Sequence, residues 1–255
     1  IDYQNAQGEQ ANCVTIAQKL VNDKADLILA IATPAAQAVA AQTRTIPILI
    51  TAVTDPASAK LVASNEAPGG NVTGTSDLTP VEEQMKLIKQ IVPSAKKIGF
   101  LYCSSEQNSK FQIDIAKDIC DELGLEYADY TVSNSNEIQQ VVQSMVGKVD
   151  AIYTPTDNMI AAGMATVAMV AVPAKIPVFA GEEGMTSIGG VATYGINYYE
   201  LGKQTAKQAV AILRDGKNPA EMPIEYLATC DLFVNEEMAK SISLELPEEI
   251  KAQLK

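Results

Sequence analysis

The chain has no histidine and no tryptophan among its 255 residues, and aromatic side chains make up only 5% of it. Without histidine, the chain cannot build Ser-His or Cys-His nucleophile pairs or imidazole metal sites from its own residues. Without tryptophan there is little to stack on a sugar ring, which argues against glycoside cleavage by a carboxylate pair such as Asp157 with Glu183. Positive charge is also scarce. Nineteen Lys and Arg stand against 31 Asp and Glu, a formal charge of -12. A nucleic-acid surface needs clustered cations, so no nucleic-acid partner is expected. An anionic ligand remains open, because helix N-termini hold carboxylates through backbone N–H groups.

Cysteine is sparse too. Cys13, Cys103, Cys120 and Cys230 match neither a zinc spacing nor a CxxC redox motif, and they read as free thiols. No apolar run reaches the roughly 20 residues of a membrane span. The longest candidate, residues 159–172, is short and alanine-rich. No secretory signal is visible. The chain opens on Ile1-Asp2-Tyr3, already strand-like, and upstream sequence is expected before it.

What is present is repetition. Asp26-Leu27-Ile28-Leu29 leads into Thr33-Pro34-Ala35-Ala36-Gln37, and Asp150-Ala151-Ile152-Tyr153 leads into Thr154-Pro155-Thr156-Asp157-Asn158. Each is followed by a small-residue helical stretch, then by Ile-Pro and a second apolar run, Ile46-Pro47-Ile48-Leu49-Ile50 and Ile176-Pro177-Val178-Phe179. This reads as one strand-loop-helix-strand unit used twice.

Apolar spacing predicts helices over 12–22, 34–42, 81–92, 111–123, 138–145, 158–171 and 199–214. Strands are predicted over 27–32, 48–53, 71–75, 97–103, 126–132, 150–154, 177–180, 191–195 and 226–234, followed by a polar, loosely helical tail. Thr79-Pro80-Val81-Glu82 reads as a capping box with proline at the first helical position. Alternating strands and helices predict an α/β fold: two doubly wound parallel-sheet lobes, a hinge and a cleft between them. Crossings near Asp77, Asn197 and Leu227 give a first lobe of 1–77 plus 198–226 and a second of 78–197 plus 227–255. Ligands of such sheets bind at the loops past the strand C-termini.

The candidate ligand residues lie in those loops. Thr33, Pro34, Ala35 and Ala36 offer a hydroxyl, a helix start and small side chains, which suits a carboxylate. Thr54 and Asp55 end the next strand. Tyr102, Ser104, Ser105 and Asn108 belong to a cluster of short polar side chains denser than capping requires. Thr156 and Asp157 occupy the equivalent place one unit later, and Glu183 follows the strand after that. An acid at these positions could hold an ammonium group. Asn197 and Tyr198 lie at the proposed return crossing, where an aromatic could stack on a ligand ring. Gly69-Gly70-Asn71-Val72-Thr73-Gly74 matches neither a dinucleotide fingerprint nor a phosphate loop, and it precedes a strand instead of opening a helix.

The segments around Ala32-Thr33-Pro34-Ala35-Ala36-Gln37, Thr51-Ala52-Val53-Thr54-Asp55-Pro56, Pro68-Gly69-Gly70-Asn71-Val72-Thr73-Gly74 and Tyr102-Cys103-Ser104-Ser105-Glu106 resemble bacterial ABC-transporter substrate-binding lipoproteins of the tryptophan/tyrosine-transport type. The resemblance covers nearly the whole chain. It implies a type I periplasmic-binding-protein fold with three inter-lobe crossovers and an aromatic amino acid as ligand. It further implies no cofactor, a monomer, ABC permease partners, and an extracytoplasmic, lipid-anchored location. By the same resemblance the ligand carboxylate sits on Thr33 to Ala36 and Thr54. The ammonium faces Asp157 or Glu183, and Ser104, Ser105 and Asn108 close over the ligand. One departure stands out: the family usually begins with one more strand and helix, and this chain starts at the family's second strand.

The expected function is therefore a non-enzymatic solute receptor that closes its lobes around an amino acid. Two other readings compete with it: the sensing domain of a regulator, and a cofactor-independent isomerase using Cys103.

Overall fold

The computed structural model describes residues 1–254. The chain divides into two compact units. One comprises Ile1–Leu78 and Asn197–Ala228; the other comprises Thr79–Ile196 and the chain from Thr229 onward.

In the first unit, β1 (Ile28–Ile31), β2 (Ile48–Val53) and β3 (Val72–Ser76) form a parallel sheet in the order β1-β2-β3. Two helices, α1 (Gln10–Asn22) and α2 (Thr33–Gln42), share one core with its strands. Ala17, Ala36 and Val39 meet Ile28, Ala30, Ile48 and Ile50 there. The small residues of α2 let the helix lie close to the sheet.

Helix α9 (Tyr198–Leu213) packs on β2 and β3. It is pinned by three buried hydroxyls: Thr75 Oγ1 lies 2.7 Å from Thr205 Oγ1 and 3.1 Å from Thr51 Oγ1. Gln208, one turn further along α9, buries its amide with neither end hydrogen-bonded among the described residues. Strand β1 is the sheet edge, and its outward residues Leu29 and Ile31 are 50% and 57% exposed.

The Gly-Gly-Asn-Val-Thr-Gly segment has a structural role. Asn71 Nδ2 donates to the carbonyls of Ile46 and Thr43, and Thr73 Oγ1 donates to that of Met222. Gly74 has φ +151°, and a Cβ there would lie 2.0 Å from the Ile50 carbonyl oxygen. Only a residue without a side chain allows β3 to pass β2 this closely.

In the second unit, six strands run in the order β5-β4-β6-β7-β8-β9. They are β4 (Lys97–Cys103), β5 (Glu126–Val132), β6 (Ala151–Thr154), β7 (Val178–Ala180), β8 (Ala192–Gly195) and β9 (Asp231–Val234). All neighbours are parallel except β8 and β9. The expectation of parallel strands throughout therefore fails at the last one, which is also shorter than predicted. An antiparallel edge strand on a parallel sheet is a common ending.

Two cores sandwich this sheet. On one face, α3 (Val81–Ile91) and α4 (Gln107–Leu123) contribute Met85, Ile88, Ile113 and Ala116 against Ile98, Phe100 and Tyr102. The short helices α10 (Glu236–Ser241) and α11 (Glu248–Gln253) add Ala239 and Ile250 to that core. On the other face, α5 (Ile138–Met145), α6 (Asn158–Ala162), α7 (Met164–Ala171) and α8 (Glu183–Gly189) cover Leu101 and Cys103. The alternation along β4 follows from the two-residue strand period. Each large side chain buried this way contributes roughly 1.5–3 kcal/mol.

Three local expectations are corrected. The predicted helix over 158–171 is two helices broken at Gly163, where a Cβ would lie 2.3 Å from Ile138 Cδ1. Helix α8 was not predicted at all, since its Gly, Ser and Thr residues give little helical signal. The capping box does not form: Pro80 is the N-cap, and among the described residues no side chain caps α3 and the buried Thr79 Oγ1 has no hydrogen bond. The helix starts at Val81, so Glu82 is one position too early for the box, and it pairs with Lys86 instead.

Candidate functional site

In the second unit, the loops past β4 and β6 form one buried polar network. Asp157 is 1% exposed and is the N-cap of α6. Its Oδ1 accepts from Ile160 N–H at 2.8 Å, and its Oδ2 accepts from Cys103 N–H at 2.7 Å and Ser109 Oγ at 2.6 Å. Burial, and then the neighbouring Glu106 carboxylate, push its pKa up from 3.8 to about 6. Its hydrogen bonds pull the other way, and burial outweighs them.

Glu106, 7% exposed, reaches the same helix start. Its Oε1 accepts from Met159 N–H at 3.0 Å. Its Oε2 accepts from Asn158 N–H at 3.1 Å, Asn158 Nδ2 at 2.6 Å and Asn108 Nδ2 at 3.0 Å. Two carboxylates thus serve one short helix, and neither has a basic partner among the described residues.

Asn108 and Thr156 belong to this network. Asn108 Nδ2 also donates to the Thr156 carbonyl at 2.8 Å, and Gln112 Nε2 donates to Thr156 Oγ1 at 2.7 Å. Asn108 Oδ1 is buried and accepts no hydrogen bond among the described residues.

Ser104 and Ser105 lie at the margin. Ser104 Oγ donates to the Val132 carbonyl at 3.3 Å, and Ser105 Oγ lies 3.1 Å from the buried Cys103 thiol. Tyr102 does not join them. The strand period turns it to the opposite face, into the core with Phe100, and burial raises its pKa. As a candidate contact in this loop it is corrected to a core residue. Glu183, in the first turn of α8, is exposed. Its neighbour Glu182 caps that helix, accepting from Gly184 N–H at 2.6 Å and from Met185 N–H.

In the first unit, Thr33 opens α2, which has no side-chain cap. Thr33 and Ala36 are buried, while Pro34 and Ala35 are partly exposed. Ala32, just before, has φ 74° and ψ 153°, a region held almost entirely by glycine. Ala52, two residues before Thr54, also has positive φ, 53°. Each such residue costs about 1–3 kcal/mol, so both segments are held in shape by their surroundings.

Thr54 Oγ1 donates to Asp77 Oδ1 at 3.2 Å, and Tyr198 OH donates to Asp77 Oδ2 at 2.9 Å. Asp77 is 4% exposed. Asp55 goes elsewhere: its carboxylate accepts from Ser58 N–H at 2.6 Å and Asn65 Nδ2 at 2.9 Å, which braces the following loop. Asn197 is exposed and caps α9 through Glu200 N–H at 3.1 Å.

The structure therefore joins Thr54 to Tyr198 in one unit, and Asn108 to Thr156 and Asp157 in the other. Sequence reasoning missed two carboxylates: Asp77, which bridges Thr54 and Tyr198, and Glu106, which bridges Asn108 and Asn158. The signal for Asp77 was its place just past a strand end, the rule that selected the others. Nothing near Glu106 in sequence points to Asn158, 52 residues on.

All four cysteines are free. Among the described residues, no group of three or more His, Cys, Asp or Glu is placed to hold a metal ion, and no helix is long and apolar enough to cross a membrane.

Parallel α/β units with polar side chains gathered past their strand ends define a solute-binding fold of the type I periplasmic-binding-protein kind. The family described as ABC transporter substrate binding protein matches residues 1–254. The chain belongs to this family and is a substrate-binding receptor for ABC transport, a class that works outside the cytoplasm.

It is 44% identical over 245 residues to a tyrosine-binding protein of Clostridioides difficile, covering 96% of this chain and 71% of that protein. A Streptococcus pneumoniae ABC domain in complex with L-Trp superposes with a TM-score of 0.96 at 39% identity, covering 99% of this chain and 88% of that one. A ligand-free, open substrate-binding protein with adhesive properties from Clostridium difficile superposes with a TM-score of 0.71 at 44% identity, covering 97% and 84%.

Proposed function

We propose that this receptor captures an aromatic amino acid, tyrosine or tryptophan, and delivers it to the permease of an ABC importer. The observation that carries this reading is the near full-length similarity to a tyrosine-binding protein and to a domain crystallised with L-Trp. The loop chemistry supports it. The uncapped start of α2 suits a carboxylate, and the carboxylates Asp77, Glu106 and Asp157 favour a cationic group.

In this reading the lobes are 1–77 with 198–226 and 78–197 with 227–255. The ligand residues come from Thr33 to Ala36, Thr54, Ser104, Ser105, Asn108, Thr156, Glu183 and Tyr198. Ligand contacts made only in a closed state shift the population toward it. No bond is made or broken. The receptor acts as a monomer, lipid-anchored outside the cell membrane.

Thermal unfolding with added L-tyrosine, L-tryptophan, L-phenylalanine, ribose and adenosine tests the proposal. Saturating aromatic amino acid raises Tm, because it binds only the folded state. A Tm moved by ribose or adenosine and not by the amino acids would overturn it.

A further inference from the structure

We propose that the buried side-chain oxygen of Asn108 is the acceptor for the ligand's amino group. This rests on the amino acid reading above.

The expected ammonium partners are largely committed elsewhere. Asp157 has both oxygens on Ile160 N–H, Cys103 N–H and Ser109 Oγ. Glu182 caps α8, and Glu183 is exposed. Asn108 differs. It lies in the first turn of α4, just past the C-terminal end of β4, and is 5% exposed. Its orientation is fixed, because Nδ2 donates to Glu106 Oε2 at 3.0 Å and to the Thr156 carbonyl at 2.8 Å. A flipped amide would set Oδ1 against those two acceptors. Oδ1 is therefore the end left without a hydrogen bond.

A buried acceptor with no donor is unfavourable, and a ligand N–H would satisfy it. The local charge selects the kind of donor. Glu106 holds Asn108 directly, and Asp157 follows Thr156, whose carbonyl Asn108 also holds. Neither carboxylate has a basic partner among the described residues. Their combined field favours a cationic donor, an ammonium, over a neutral amide or hydroxyl. The amide oxygen supplies the hydrogen bond, and the carboxylates behind it supply the field.

The test compares L-tyrosine with 3-(4-hydroxyphenyl)propanoate, which is L-tyrosine without its amino group, by calorimetry on the wild type and on Asn108→Ala. The variant should bind L-tyrosine at least tenfold more weakly and the des-amino compound within about twofold of wild type. An equal loss on both, or no loss on L-tyrosine, overturns the proposal while leaving the receptor reading intact. A wild type that binds neither L-tyrosine nor L-tryptophan overturns both. Should Asn108→Ala fail to fold, or the des-amino compound bind too weakly to measure, a wild-type crystal with L-tyrosine decides. The ligand nitrogen is expected within hydrogen-bond distance of Asn108 Oδ1, and a nitrogen placed elsewhere sinks the proposal.

Discussion

Glu106 caps a helix start 52 residues further along the chain: its Oε2 accepts from both Nδ2 and N–H of Asn158, at 2.6 and 3.1 Å. One side chain thus ties the loop after β4 to the loop after β6. Glu106→Gln keeps the shape but replaces one acceptor by an NH2 group facing other donors. Hydrogen bonds to charged groups contribute about 1.5–3 kcal/mol each, so we expect the variant to lose about 2–3 kcal/mol. Urea denaturation measures this, and an unchanged midpoint would show that the cap is idle.

Asp157 makes stability depend on pH in an unusual direction. Its folded pKa is raised to about 6, against an ordinary 3.8. Above about 6 the group is ionised in both states. Between about 6 and 3.8 the folded protein holds a proton that the unfolded chain releases. Through this group, acidification therefore favours folding, by up to about 1.4 kcal/mol per pH unit, and the gain levels off below 3.8. Asp157→Asn removes this contribution. The stability of the wild type relative to the variant should rise from pH 7 to pH 4.5, and a constant difference across that range would contradict the assignment.

Tyr198 donates to Asp77, which also receives the Thr54 hydroxyl. Tyr198→Phe deletes one hydrogen bond, a change of about 1 kcal/mol. If this cluster shapes the ligand loops, L-tyrosine affinity should fall about fivefold. Calorimetry reads the change, and wild-type affinity in the variant would remove Tyr198 from the site.

Gln208 buries an amide with no hydrogen-bond partner at either end among the described residues. Leucine has a similar volume and nothing to desolvate. Gln208→Leu should therefore stabilise the protein by about 1–2 kcal/mol. A lower urea midpoint in the variant would mean that the amide is satisfied after all.

Much of this architecture could be read from the sequence, because period decides element type. The runs 48–53 and 97–103 predict strands that match β2 and β4 residue for residue. Ile138, Val142 and Met145 mark the buried side of α5. Strand ends then locate the loops, which is why Thr54, Asn108, Thr156 and Asp157 could be chosen. Their partners could not be chosen, since partnership is tertiary. Asp157 looks like an available acid in the sequence, yet it is consumed by the start of α6. Tyr102 was misjudged for a simpler reason: a residue at a strand end still obeys the alternation of its strand. Helix α8 is held by Glu182 and by the burial of Met185 and Thr186, which local propensity does not report.

The half-bare flank of β1 carries a practical consequence. A strand border next to the exposed Leu29 and Ile31 invites any passing extended peptide to zip onto it. Concentrated stocks of these 255 residues should slowly gather into larger species that sediment ahead of the fresh protein. Ile31→Lys should keep them apart.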